Sequence, residues 1–144
     1  MSEETALREN MMRLETAKAQ LEGLSKQQEL IQLAIEEHVK ARETVKSLAK
    51  SAPGDELMIP VGADSYIYAK ASERKDVVIG VGSGVSVQRG ADEAEKMLDT
   101  RVEELAQAFQ KVAEMAAQTE AAIQELTDKV QEQYERFQAG GPKA

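Results

Sequence analysis

Residues 98–137 read LDTRVEELAQAFQKVAEMAAQTEAAIQELTDKVQEQYERF, and their spacing decides the fold. Leu98, Val102, Leu105, Phe109, Val112, Ala116, Thr119, Ile123, Leu126, Val130, Gln133 and Phe137 recur at alternating steps of four and three, and ten of these twelve are apolar. A 3.5-residue period sustained in this way predicts one helix of a two-stranded coiled coil. Asp92, with Glu95 three residues on and Gly90 before it, is expected to cap the start. Gly140, Gly141 and Pro142 are expected to stop the helix and leave a frayed tail.

The N-terminal third carries the same pattern more weakly. With Leu7 at position a, the a and d positions are Leu7, Asn10, Leu14, Ala17, Leu21, Leu24, Gln28, Ile31, Ile35, His38, Arg42, Val45 and Ala49, nine of the thirteen apolar. No proline interrupts residues 3–49, and Ser2 followed by Glu3 and Glu4 supplies an N-cap with carboxylates at the positive helix end. Asn10, Gln28, His38 and Arg42 break the stripe, and such polar seam residues can fix register at some cost in stability. His38 reads more simply as a half-exposed seam residue than as a ligand.

Between the helices the character changes. Pro53-Gly54 breaks the first helix, and short β-rich runs follow at Leu57–Val61, Tyr66–Ala71, Val77–Val81 and Val85–Gln88. Turn residues separate them at 62–64, 73–76 and 82–84. Alternation places Leu57, Ile59 and Val61 on one side of their strand, and Val77, Ile79 and Val81 on one side of theirs. Pro60 cannot donate to a ladder, so its strand is expected at an edge. Two β-hairpins are the simplest reading.

The helical regions are each about 46 residues, roughly 70 Å at the helical rise. Equal lengths flanking a reversing segment suggest that the helices fold back on each other, with Leu7 near Val130–Phe137, Leu21 near Ile123, Ile35 near Phe109 and Val45 near Leu98. The alternative, parallel seams between separate chains, would leave a long β insertion in the middle of a rod. The expected organisation is a coiled-coil helix over 1–51, two assembly hairpins over 52–90, a second coiled-coil helix over 91–138 and a flexible tail over 139–144. The hairpins are too small to close a core alone, since isolated hairpins are marginal in water and their free edges invite pairing. Their candidate assembly residues are Leu57, Ile59, Val61, Tyr66, Tyr68, Val77, Ile79, Val81, Val85 and Val87.

Composition narrows the function. Of the 144 residues 31% are charged and only 3% aromatic, a mix that suits long helices better than a compact core. A net charge of −8 disfavours nucleic acid and anionic lipid as partners. Cysteine is absent, which excludes disulfides and thiolate metal sites; no metal or other cofactor is expected. The charged start MSEETALREN lacks the apolar core of a secretory signal, and no run is long and apolar enough to span a membrane. The expectation is a cytoplasmic protein.

Over nearly the whole chain, the layout of coil, two hairpins and coil resembles the α-type subunits of the prefoldin family. The more specific likeness lies in Pro60-Val61-Gly62-Ala63-Asp64-Ser65-Tyr66-Ile67-Tyr68-Ala69-Lys70 and in Val77-Val78-Ile79-Gly80-Val81-Gly82-Ser83-Gly84-Val85-Ser86-Val87-Gln88. Where many members have aromatics after the second glycine turn, this chain has Val85 and Ser86. The resemblance implies a heterohexamer of two α-type and four β-type subunits, with the hairpins building a β-barrel platform from which the coils hang. It further implies an ATP-independent holdase whose coil tips capture unfolded clients and pass them to a group II chaperonin. The α type is implied by two hairpins where the β type has one.

In this sequence the tips comprise Leu7, Met11, Met12 and Leu14 with Val130, Tyr134 and Phe137. Leu7, Leu14, Val130 and Phe137 lie on the seam, where coil packing accounts for them. Met11, Met12 and Tyr134 fall at e, f and e, off the seam, and adaptable thioethers suit a promiscuous binder. Leu30 also lies off the seam in mid-helix, and scattered surface apolar residues are ordinary.

Catalysis is not expected. A Ser-His-Asp arrangement would rest wholly on His38. Gly80-Val81-Gly82-Ser83-Gly84 lacks the third glycine of a dinucleotide loop, the Gly-Lys-Ser/Thr ending of a P-loop, and the flanking glycines of a nucleophile elbow. The rival function is structural, a prefoldin-like coiled-coil scaffold or filament.

Overall fold

The structure, a computed structural model, describes residues 2–140. The described elements run α1 (Glu3–Lys50), β1 (Glu56–Gly62), β2 (Ser65–Lys70), β3 (Asp76–Gly82), β4 (Val85–Gly90) and α2 (Ala91–Ala139). The architecture is the expected one, two long helices of an antiparallel coiled coil with two small β-hairpins between them. The chain divides into two compact units, one of Met1–Leu30 with Ala108–Ala144, the other Ile31–Gln107. Gly140 donates its backbone N–H to the Arg136 carbonyl at 2.9 Å after α2 ends. From Gly141 onward the tail expected over 139–144 lies outside the described residues.

In the first unit, the Ser2 hydroxyl accepts the Thr5 backbone N–H at 3.1 Å and so caps α1, with Glu3 and Glu4 in its first turn. Leu7 and Leu24 of α1 are buried, as are Val112, Ala116 and Thr119 of α2. Leu14, Ala17, Leu21, Gln28, Ile123, Leu126 and Val130 are half-buried. These are the 4-3 positions, so the apolar spacing became the seam. Two of its polar interruptions meet each other, the Asn10 amide donating to Gln133 Oε1 at 2.9 Å. Thr119 satisfies its hydroxyl on the Met115 carbonyl at 2.8 Å, so burying it leaves no orphaned group.

In the second unit the seam continues through Ile31, Ile35, His38, Arg42, Val45 and Ala49, with Leu98 buried and Val102 and Leu105 half-buried on α2. Arg42 holds its charge against Asp99 at 3.1 Å, and the His38 ring donates from Nδ1 to the Ala34 carbonyl at 2.7 Å. The last carbonyls of α1 have no helical partners of their own. Lys75, in the connection between the hairpins, supplies them: its ammonium donates to the Leu48 carbonyl and to Ser51 Oγ, each at 2.8 Å, and to the Ser51 carbonyl. A cation here also complements the negative end of the helix dipole.

The hairpins are separate two-stranded antiparallel sheets, β1 with β2 and β3 with β4. They repeat one design. Each strand of the second begins 20 residues after its counterpart in the first, β3 at 76 against β1 at 56 and β4 at 85 against β2 at 65. Both turns put two residues in the left-handed region, Ala63 and Asp64 (φ 52° and 56°) and Ser83 and Gly84 (φ 53° and 75°). This twist matches that of the flanking strands. In both, the pairing slips just before the turn, between Pro60 and Gly62 and between Gly80 and Gly82. The bulge inserts Val61 and Val81 and interrupts the strict alternation expected for them. Leu57, Ile59, Val77 and Ile79 are therefore covered, whereas Val61 and Val81 are exposed.

α2 starts at Ala91, directly after the last residue of β4. The Asp92–Glu95 pair expected to cap it thus lies inside the helix, where Asp92 and Glu93 place carboxylates in the first turn. Ala91 and Ala94 are buried, their small side chains allowing close packing at this junction.

Candidate assembly and client-binding surfaces

The register of the first hairpin sorts its side chains by face. Met58 pairs with Tyr68 and Pro60 with Tyr66, and these four share one face; Leu57 with Ala69 and Ile59 with Ile67 form the other. On the first face Met58, Tyr66 and Tyr68 are all exposed, a block of large apolar and aromatic surface with no cover. In the second hairpin Ile79 is buried and Val77 and Val87 are half-buried. Val78 on the opposite face, and Val81 and Val85 beside the turn, are exposed.

Of the residues expected to serve assembly, Val61, Tyr66, Tyr68, Val81 and Val85 thus lie on open surface, whereas Leu57, Ile59, Val77, Ile79 and Val87 are covered within the chain. Met58, Ile67 and Val78 are exposed and were not singled out from sequence. The signal for them was available: Leu57-Met58-Ile59 and Val77-Val78-Ile79 are apolar on both faces, the mark of a strand covered on both sides.

Each hairpin is tied to a helix. Lys40 of α1 pairs with Asp64 at the first turn at 3.6 Å, and the Arg101 guanidinium of α2 donates to the Gly80 carbonyl of β3. Between β1 and α1 runs an open groove of about 850 Å³ lined by Leu33, Ala41, Val45, Ile59, Pro60 and Val61, with Glu36, Glu37 and Lys40 also on its walls. At the base of the second hairpin Asp76 accepts from Arg74 Nε at 2.6 Å and from Gln88 Nε2 at 2.8 Å. The hydrogen bond from Arg74 holds the Asp76 carboxyl below the usual carboxylate range.

At the other candidate surface, Leu7 is buried and Leu14 and Val130 are half-buried in the seam. Met11, Met12 and Tyr134 are respectively 48%, 71% and 52% exposed, and Phe137, the last apolar seam position, is 36% exposed. Met11 and Tyr134 directly follow Asn10 and Gln133, the pair bonded across the seam. In an antiparallel coil, positions e of the two helices flank the same side, so Met11 and Tyr134 belong to one patch. The Tyr134 hydroxyl accepts from the Gln138 amide at 2.8 Å. Among the described residues, no group of His, Asp and Glu is arranged to hold a metal ion, and no helix is long and apolar enough to cross a membrane.

A family model described as prefoldin subunit matches residues 3–136. The chain is similar to the prefoldin subunit alpha of Methanothrix thermoacetophila, 34% identical over 111 residues that cover 77% of this chain and 72% of that protein. It is likewise similar to the prefoldin subunit alpha of Pyrococcus horikoshii, 34% identical with 79% and 78% covered. That of Nitrosopumilus maritimus is 31% identical, with 88% and 83% covered. Among solved structures, a chain of filamentous PFD from Methanocaldococcus jannaschii superposes with a TM-score of 0.62 at 24% identity, covering 80% of this chain and 95% of that one. The prefoldin beta subunit from Thermococcus strain KS-1 superposes with a TM-score of 0.58 at 17% identity, covering 88% and 90%. At these identities the structural likeness speaks for the fold.

Proposed function

The chain belongs to the prefoldin subunit family, and from that premise we propose that it is the alpha-type subunit of a hexameric, ATP-independent holdase. In this reading it joins beta-type subunits through its hairpins, two alpha to four beta. Unfolded polypeptide is held at the coil tips and delivered to a group II chaperonin, and the setting is the cytoplasm. The observation that carries assembly is the exposed apolar surface of the hairpins, Met58, Val61, Tyr66, Ile67, Tyr68, Val78, Val81 and Val85. A two-stranded hairpin with an apolar face in water is marginal, and its free edges are templates for another chain.

Client capture rests on Met11, Met12, Tyr134 and Phe137. Each tip would bind weakly, and several tips on one client would supply avidity. Replacing Met11, Met12 and Tyr134 with Ser is expected to weaken suppression of client aggregation, followed by light scattering, while the complex keeps its mass. Undiminished suppression would refute the tip site.

The filamentous relative from Methanocaldococcus jannaschii favours a second reading, in which the same hairpins build a scaffold. Native mass measurement after mixing the chain with a beta-type subunit separates the two. A discrete hexamer with holdase activity supports the chaperone, and long homopolymers support the scaffold.

A further inference from the structure

From the side chains of the tip we infer that Met11 and Met12 form a peroxide-sensitive switch, their reversible oxidation to methionine sulfoxide turning client capture down. The inference rests on the tip reading above. With no cysteine in the chain, thioethers are its only sulfur groups open to oxidation. Met11 and Met12 are its one consecutive methionine pair, and both are exposed. They stand at e and f, so oxygen added to either sulfur does not enter the seam that holds the helices together. Leu7 and Leu14 carry that packing and cannot be oxidised. Met97, by contrast, is half-buried near the buried Leu98, where a polar sulfoxide would disturb packing. Oxidation at the tip therefore changes the polarity of the patch beside Tyr134 and leaves the fold in place.

The oxidant is hydrogen peroxide. The sulfur lone pair attacks one peroxide oxygen, an S–O bond forms as the O–O bond breaks, and the proton on the transferred oxygen passes to the departing hydroxide. Sulfur is oxidised by two electrons, peroxide is reduced, and one water leaves. The sulfoxide is polar and chiral where the thioether was apolar and pliant, so it loses the adaptable contact with irregular apolar segments. Methionine sulfoxide reductases reverse the change.

The test uses the assembled complex and a chemically unfolded model enzyme as client. For each protein it reads the ratio of capture after peroxide to capture before it, with oxygen addition at each methionine followed by peptide mass spectrometry. The wild type is expected to lose about tenfold in client affinity, equal to about 1.4 kcal/mol, and to regain it with the reductases. The variant M11L/M12L should show a ratio near one, and M115L, altered at an exposed methionine on α2 away from the patch, should lose as much as the wild type. Three results would overturn the switch: capture unchanged with Met11 and Met12 fully oxidised, an equal loss in M11L/M12L, or oxidation of Met58 and Met115 ahead of the tip pair. Failure of the tip reading shows separately, as undiminished capture by the untreated Ser variant.

Discussion

Ala63 takes a backbone conformation that carries a steric penalty for any residue with a β-carbon. Its φ of 52° lies in the left-handed region, where an L-residue pays roughly 1–2 kcal/mol. Asp64 beside it is among the residues that tolerate the region, and its counterpart in the second turn, Gly84, is free of the penalty, while Ser83 at φ 53° stands where Ala63 does. Ala63→Gly is therefore expected to stabilise the first hairpin by about 0.5–1 kcal/mol, the relief being partly offset by a more flexible unfolded chain. A fall in the melting temperature of the assembled subunit would contradict this. Lys75 makes the opposite case, a side chain doing more than its position suggests. Lys75→Met keeps the aliphatic stem and strips the cation from the end of α1, so stability should fall by about 1–3 kcal/mol in urea unfolding. Lys75→Arg should recover part of the loss, and equal stability of Lys75→Met and wild type would remove the cap from the account. Neither feature was legible in the sequence. The Ala63-Asp64 turn lacks the glycine that signals this geometry most strongly, and Lys75 meets Ser51 across 24 residues of chain with no periodicity to announce it.

At the scale of the element, legibility followed the length over which a pattern repeats. The 4-3 spacing runs through dozens of residues, so a local ambiguity at Asn10 or Thr119 could not shift the seam. The strands are six or seven residues long, and one inserted residue was enough to turn Val61 and Val81 outward. The seam's polar members were legible as interruptions, but their partners were not, because pairing depends on the relative register of two distant segments. The Asn10–Gln133 bond is the clearest instance, two polar groups from segments far apart in the chain satisfying each other across the seam. A double-mutant cycle with Asn10→Leu and Gln133→Leu should give a coupling energy of about 1 kcal/mol. The double variant should be at least as stable as the wild type, since apolar groups of similar size replace both partners. It should also be less exact in register, visible as broadened spin-label distance distributions between the two helix segments of this unit. Additive single effects would show that the bond contributes nothing to register.

At the scale of the whole molecule, the helices and the hairpins differ in what they need from outside. The helical segments find each other within the chain and bury their apolar stripe there. Each hairpin has one face partly covered and exposes apolar residues besides, and its strands pair only with each other. Stability should then be uneven, as local opening free energies differ between well-packed and weakly packed regions. In the isolated chain, backbone amides of residues 56–90 are expected to exchange with solvent deuterium far faster than those around Leu24, Val112 and Ala116. On mixing with a beta-type subunit, protection should rise in the hairpins, and most at strand edges where a neighbouring strand supplies new hydrogen bonds. The helical amides should change little, because their bonds lie within each helix whether or not a partner is present. This ties the proposed assembly to a measurement that does not depend on activity. If the hairpin amides were as protected in the lone chain as in the complex, the exposed faces of Met58, Tyr68 and Val78 would need no partner to stabilise them, and assembly through the hairpins would lose its physical ground.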